Sequence, residues 1–75
     1  MRVYTAAGCH LCESALRVVE RVRAEIPFAL ERVDIAGDPE LERRYRERIP
    51  VVCVDGEETF QYYVHPEGLR RRLRA

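Results

Sequence analysis

Gly8-Cys9-His10-Leu11-Cys12 joins a short strand-like segment, Arg2-Val3-Tyr4-Thr5, to a long stretch of helical periodicity. The strand reading of Arg2 to Thr5 rests on its β-branched and aromatic residues. From Leu11 the period changes. Leu11, Ala15, Val18, Val19, Val22 and Ile26 recur at three and four residues, an apolar helical stripe. Two cysteines three apart therefore stand at a helix start. The positive end of the helix dipole and its free N–H groups favour a thiolate there, the form that attacks disulfides and binds soft metals. Redox chemistry is the first expectation and metal handling the second.

Working outward, Pro27 ends this first helix near Glu25. Phe28, Leu30, Val33 and Ile35 suggest a second strand. In Gly37-Asp38-Pro39, Asp38 suits a helix N-cap and Pro39 the first helical position. Leu41, Tyr45 and Ile49 form a short apolar stripe through a charged segment. Glu40 with Arg44 and Glu42 with Arg46 make i,i+4 pairs, and this helix must stop before Pro50. Val51 to Val54 is a continuous apolar run, as an interior strand requires. Asp55-Gly56 signals a hairpin, with Glu57 to Val64 the returning strand. His65-Pro66-Glu67 opens a last helix that turns Leu69 and Leu73 inward. The order β-α-β-α-β-β-α predicts an α/β fold. Its first two strands are parallel through a right-handed crossover, and its last two form an antiparallel hairpin. The expected sheet is four-stranded and mixed, flanked by helices on both faces. Seventy-five residues, 1–75, make a single domain with one small core.

The formal net charge is zero, which gives no overall electrostatic case for nucleic acid or an anionic membrane. No run is long enough to span a bilayer, and Met1 to Ala6 lacks the apolar stretch of a secretion signal. A cytoplasmic protein is expected, where Cys-x-x-Cys reads as catalytic or metal-binding. Cys53, the third cysteine, lies in the apolar run Val51-Val52-Cys53-Val54 and reads as a buried thiol acting as a small hydrophobe. A third redox or metal thiol is the alternative. All thirteen basic residues are Arg. Arg70, Arg71, Arg72 and Arg74 read as cations at a helix C-terminus. Arg43, Arg44, Arg46 and Arg48 read as a solvated helix face, with Arg48, beside Ile49-Pro50, in reach of an acidic substrate group. Tyr62 and Tyr63 are adjacent, so one faces in and one out.

Cys-x-x-Cys after the first strand, Ile49-Pro50 before a Val-rich third strand, and the Asp-Gly hairpin together resemble the thioredoxin fold in its minimal form. Over essentially its whole length the chain looks like a small glutaredoxin-like protein. The resemblance implies a thiol–disulfide oxidoreductase with Cys9 as nucleophile and Cys12 as resolving thiol. It implies that Pro50 is cis and faces the thiols, leaving the Ile49 backbone free to pair with a substrate in strand-like fashion. His10 and Leu11 lie between the thiols, among the expected substrate contacts with Arg48, Ile49 and Pro50. An imidazolium at His10 stabilises a Cys9 thiolate; a solvent-facing His10 has little effect. The chain departs from the family pattern in having no proline between the cysteines and Leu11 where glutaredoxins carry tyrosine.

Glutaredoxins that use glutathione carry paired glycines and an acidic residue after the hairpin. Here Tyr63-Val64-His65-Pro66-Glu67-Gly68 lacks the pair. Glu67 or the last helix N-terminus remains to hold a carboxylate. The Pro-acidic opening of that helix also resembles glutaredoxin-shaped redoxins reduced by thioredoxin reductase, so both donors stay open. No resident cofactor or metal is required, and a monomer is expected. The main rival is a carrier of Cu(I) or Zn, since small heavy-metal-associated domains share this length and the position of the Cys-x-x-Cys. Their order β-α-β-β-α-β differs from the one read here. An iron–sulfur cluster bridged between two chains is a further alternative.

Overall fold

A computed structural model describes residues 1–74. The elements are β1 (Arg2–Thr5), α1 (His10–Glu25), β2 (Glu31–Asp34), α2 (Pro39–Tyr45), β3 (Val51–Val54), β4 (Glu57–Gln61) and α3 (Pro66–Arg74). The sheet order is β2-β1-β3-β4. β1 runs parallel to β2 and antiparallel to β3, and β3 runs antiparallel to β4. This is the mixed four-stranded sheet of a thioredoxin-like fold. No helix among the described residues is long and apolar enough to cross a membrane.

The period-2 alternation of β1 and β3 divides the core into two layers. Val3, Val52 and Val54 face α1 and α3, where they meet Ala15, Val19, Val22, Val64 and Leu69. Tyr4 and Val51 point the other way, onto Ile35 and Tyr45 below α2. The Tyr4 and Tyr45 rings stack with centroids 4.1 Å apart. Burial pushes the Tyr45 phenol above its ordinary pKa, helped by the neighbouring Tyr4 phenol.

Local chemistry sets the boundaries. The side chain of Asp38 accepts from the amides of Glu40 and Leu41, capping α2, and Pro39 takes the first turn. Asp55 and Gly56 both have positive φ, 53° and 79°, as a two-residue primed hairpin demands. Five details depart from the sequence reading, the first being that Tyr62 and Tyr63 are both exposed, since the strand ends before them. The buried line of α1 is Cys12, Ala15, Val19 and Val22, with Leu11 only half-buried. β2 is shorter than the apolar pattern suggests, because Phe28 and Leu30 pack on the α1 side before the strand begins and Ile35 is buried just beyond its end. β4 stops at Gln61 instead of Val64, because Tyr62 turns out of the extended region at φ 67°. Glu40 pairs with Arg43 and not Arg44, whose guanidinium lies over the Tyr45 ring at 5.4 Å.

Leu69 is fully buried between α3 and the sheet. Leu69→Ala should lower unfolding free energy by about 2–5 kcal/mol. Tyr63→Ala, on a side chain 65% exposed, should change it by less than about 0.5 kcal/mol. Urea denaturation of the reduced protein compares the two.

Candidate functional site

Antiparallel pairing of β1 with β3 brings the end of one strand beside the start of the other, with Tyr4 opposite Val51. The loop after Thr5 and the residues before Val51 therefore share one end of the sheet. Gly8, at φ 77°, turns the chain into α1; nothing crowds a side chain there, so it is the backbone conformation that favours glycine. Cys9 is the N-cap of α1 in extended conformation, at φ −93° and ψ 107°. Its Sγ accepts the Cys12 amide N–H at 3.1 Å.

Cys9 and Cys12 form a disulfide, with their Cα atoms 5.2 Å apart. Their environments differ. Cys9 is half-exposed, while Cys12 is 2% exposed and belongs to the buried line of α1. In the reduced protein the Cys12 amide and the positive helix end both favour negative charge on Cys9. Cys12 lacks direct access to a molecule in solvent.

Beside Cys9 lies a shallow groove of about 370 Å³. Ala6, Ile35 and Ile49 give it apolar walls, and Glu42 and Arg46 supply a charged border. Glu42 and Arg46 pair with each other at 3.7 Å. The Ile49–Pro50 peptide bond is cis, and Pro50 is buried. Among the described residues neither the amide nor the carbonyl of Ile49 has a hydrogen-bond partner.

Ile49 thus lines the groove with Cys9, whereas His10, Leu11, Arg48 and Pro50 are not among its lining residues. His10 is the first residue of α1, with its side chain 96% exposed and Nδ1 3.8 Å from Glu13 Oε2. Any charge on it is screened by water and opposed by Glu13. Leu11 is half-buried and does not line the groove. Arg48 is engaged away from the groove. Its Nη1 donates to Glu58 Oε1 of β4 at 2.7 Å, its Nη2 donates to the Arg44 carbonyl, and its guanidinium lies 5.3 Å from the Tyr45 ring centre. Arg46 is the arginine that the fold brings to the groove. Helix phase could have found it, since residues two apart point in different directions at a helix end. Glu67 is salt-bridged to Arg70 at 2.5 Å.

Cys53 stands opposite Arg2, at the other end of β1 from the thiol pair. It is half-buried with Tyr4 and Tyr45, so it behaves as a core thiol remote from Cys9. Among the described residues no group of three or more His, Cys, Asp or Glu side chains converges to hold a metal ion.

The family model described as Glutaredoxin-like domain (DUF836) matches residues 1–74. The chain belongs to this glutaredoxin-like family. Among solved structures, the X-ray structure of the structural genomics target protein XcR50 from X. campestris superposes with a TM-score of 0.81 at 29% identity. That match covers 97% of this chain and 93% of XcR50. The solution structure of XcR50 gives 0.78, covering 97% and 90% of the two chains. The uncharacterised proteins Rv0508 of Mycobacterium tuberculosis and Mb0520 of Mycobacterium bovis are 28% identical to this chain. The alignments cover 93% of it and 77% of each of them.

Burial, followed by the nearby Glu58 carboxylate, raises the Cys53 pKa above the ordinary thiol value. A raised pKa leaves less thiolate at any given pH. In this glutaredoxin-like chain, reduced at pH 7, iodoacetamide should therefore label Cys9 before Cys53, whose labelling should accelerate only under alkaline conditions. Peptide mass mapping at a series of pH values gives the order. Arg48, by its hydrogen bond, holds the Glu58 carboxyl below its ordinary pKa. The stabilisation from that pair is complete above the ordinary glutamate range and is lost as pH falls through the lowered value. Arg48→Ala should return the Glu58 titration, followed by NMR, to the ordinary range.

Proposed function

We propose that this chain is a thiol–disulfide oxidoreductase that reduces protein or small-molecule disulfides through Cys9 and Cys12. The observation that carries the reading is the unequal exposure of two bonded sulfurs at a helix start. Cys9 is partly exposed and accepts an amide N–H, and Cys12 is buried one turn on.

In the reduced form the Cys9 thiolate attacks one sulfur of a substrate disulfide. A Cys9–substrate bond forms, the substrate S–S bond breaks, and one substrate thiolate leaves to take up a proton. Cys12 then loses its proton and attacks Cys9 Sγ. The Cys9–Cys12 bond forms and the second substrate thiolate leaves. The substrate gains two electrons and the chain loses two. A thiol donor, either glutathione or the dithiol of a thioredoxin reductase, returns them by the reverse exchange. The unpaired amide and carbonyl of Ile49 suit an extended substrate backbone laid along the groove. Arg46 and Glu42 border its path, so charge on the flanking residues of a substrate bears on selectivity.

Coupled turnover assays on metal-free protein test the proposal. One supplies glutathione and glutathione reductase, the other thioredoxin reductase, both with a small disulfide. Turnover in either supports the reading and names the donor. Silence in both, with tight stoichiometric Cu(I) or Zn binding, replaces it with metal carriage. Cys9→Ser should abolish reduction, and Cys12→Ser should accumulate mixed disulfides visible by intact mass. A Cys9→Ser variant as active as the wild type would rule out the assigned nucleophile.

A further inference from the structure

Tyr62 is a bulky residue held at φ 67°, a left-handed conformation that costs free energy for any side chain with a Cβ. Such a conformation persists where surrounding contacts over-determine it. Three contacts do so here, the first a three-residue turn closed about Tyr62 by the Tyr63 amide donating to the Gln61 carbonyl at 2.8 Å. The Tyr62 amide donates to the Pro50 carbonyl at 3.0 Å, and the Tyr62 hydroxyl donates to the Glu47 carbonyl at 2.6 Å. These acceptors stand on either side of Arg48-Ile49, the segment that presents Ile49 to the Cys9 groove. The turn at Tyr62 also ends the β3–β4 ladder, whose last pair on this side is Val51 with Gln61. The hydrogen bond from the Tyr62 amide to Pro50 continues the register of that ladder by one pair, and the hydroxyl bond to Glu47 reaches beyond it.

Other restraints act on one end of the segment. The Arg48 amide donates to the Tyr45 carbonyl at 2.8 Å, and the Arg48 guanidinium is held by Glu58. They fix the turn after α2 and leave Ile49 spanned by Tyr62. We infer that Tyr62 is a positioning residue for substrate capture: its hydroxyl and amide clasp Glu47 and Pro50 and hold the Ile49 backbone in place to receive an extended disulfide-bearing peptide beside Cys9. This role rests on the oxidoreductase reading above.

The test compares wild type with Tyr62→Phe on two substrates, a disulfide within an extended peptide and a small disulfide with no peptide backbone. The hydroxyl contact is a single hydrogen bond, so its loss should raise KM for the peptide by roughly fivefold. The kcat, the KM for the small disulfide and the pH profile of Cys9 alkylation should stay as in wild type. Hydrogen exchange at the Arg48 amide should quicken by a similar factor while core amides of β1 and β3 are unchanged. If Tyr62→Phe folds poorly, Tyr62→Asn supplies the same comparison, because asparagine tolerates positive φ and cannot reach as far. Equal peptide KM in wild type and a folded variant overturns the clasp, as does a loss shared equally by both substrates. A wild type silent towards both disulfides overturns the oxidoreductase reading and, with it, the role of Tyr62 in capture.

Discussion

The antiparallel pairing of β1 with β3 is the constraint on which the remaining structure depends. Each strand is four residues long, and each sends alternate side chains to opposite faces. Val3 faces Val52 across the pair, and Tyr4 faces Val51. One face therefore requires a cover from α1 and α3 and the other a cover from α2. The same pairing decides where the loops go. Since β1 leaves the sheet where β3 enters it, Cys9 and Ile49 become neighbours although they lie forty positions apart in the chain. The site is a consequence of strand direction before it is a consequence of any particular side chain.

α2 is the least self-sufficient element. It is seven residues long and charged at most positions, too short to be stable without tertiary support. Its salt bridges to neighbouring residues are largely exposed and contribute little. Tyr45 is its anchor, 4% exposed and stacked on Tyr4, with the guanidiniums of Arg44 and Arg48 lying near its ring. Glu42 and Arg46 reach the groove because this one aromatic holds the helix down. A substitution at Tyr45 would therefore disturb the border of the site without touching it.

Most of the fold was legible because its punctuation is chemical. Asp38-Pro39, Asp55-Gly56 and the proline after Ile49 each permit few backbone conformations, and the apolar runs between them have clear periods. The misread places share a different cause. β2 is an edge strand with exposed Glu31 and Arg32, so its alternation is weak and its apolar flanks, Phe28 and Ile35, belong to the core without belonging to the strand. The end of β4 was hidden because the residue that breaks it is a tyrosine, and nothing local marks Tyr62 for positive φ as Gly or Asn would. The thiol pair was visible from spacing alone. The groove beside it was not, because Ile35, Glu42 and Arg46 come together through tertiary packing. Nearness to Pro50 in sequence favours Arg48, but the side chain of Arg48 is drawn to Glu58 across the sheet edge.

The burial of Cys12 has a kinetic consequence. In the oxidised chain Cys9 is the sulfur that a reductant can reach, since Cys12 is covered by the core. Under the proposed exchange, electron donor and electron acceptor must use the same opening, in alternation. Neither can remain bound while the other reacts, so no ternary complex forms, and the steady state follows a substituted-enzyme pattern in which each ligand competes with the other for the wrong redox form. With a single door, the ratio of the two ligands sets how much of the protein stands reduced at any moment.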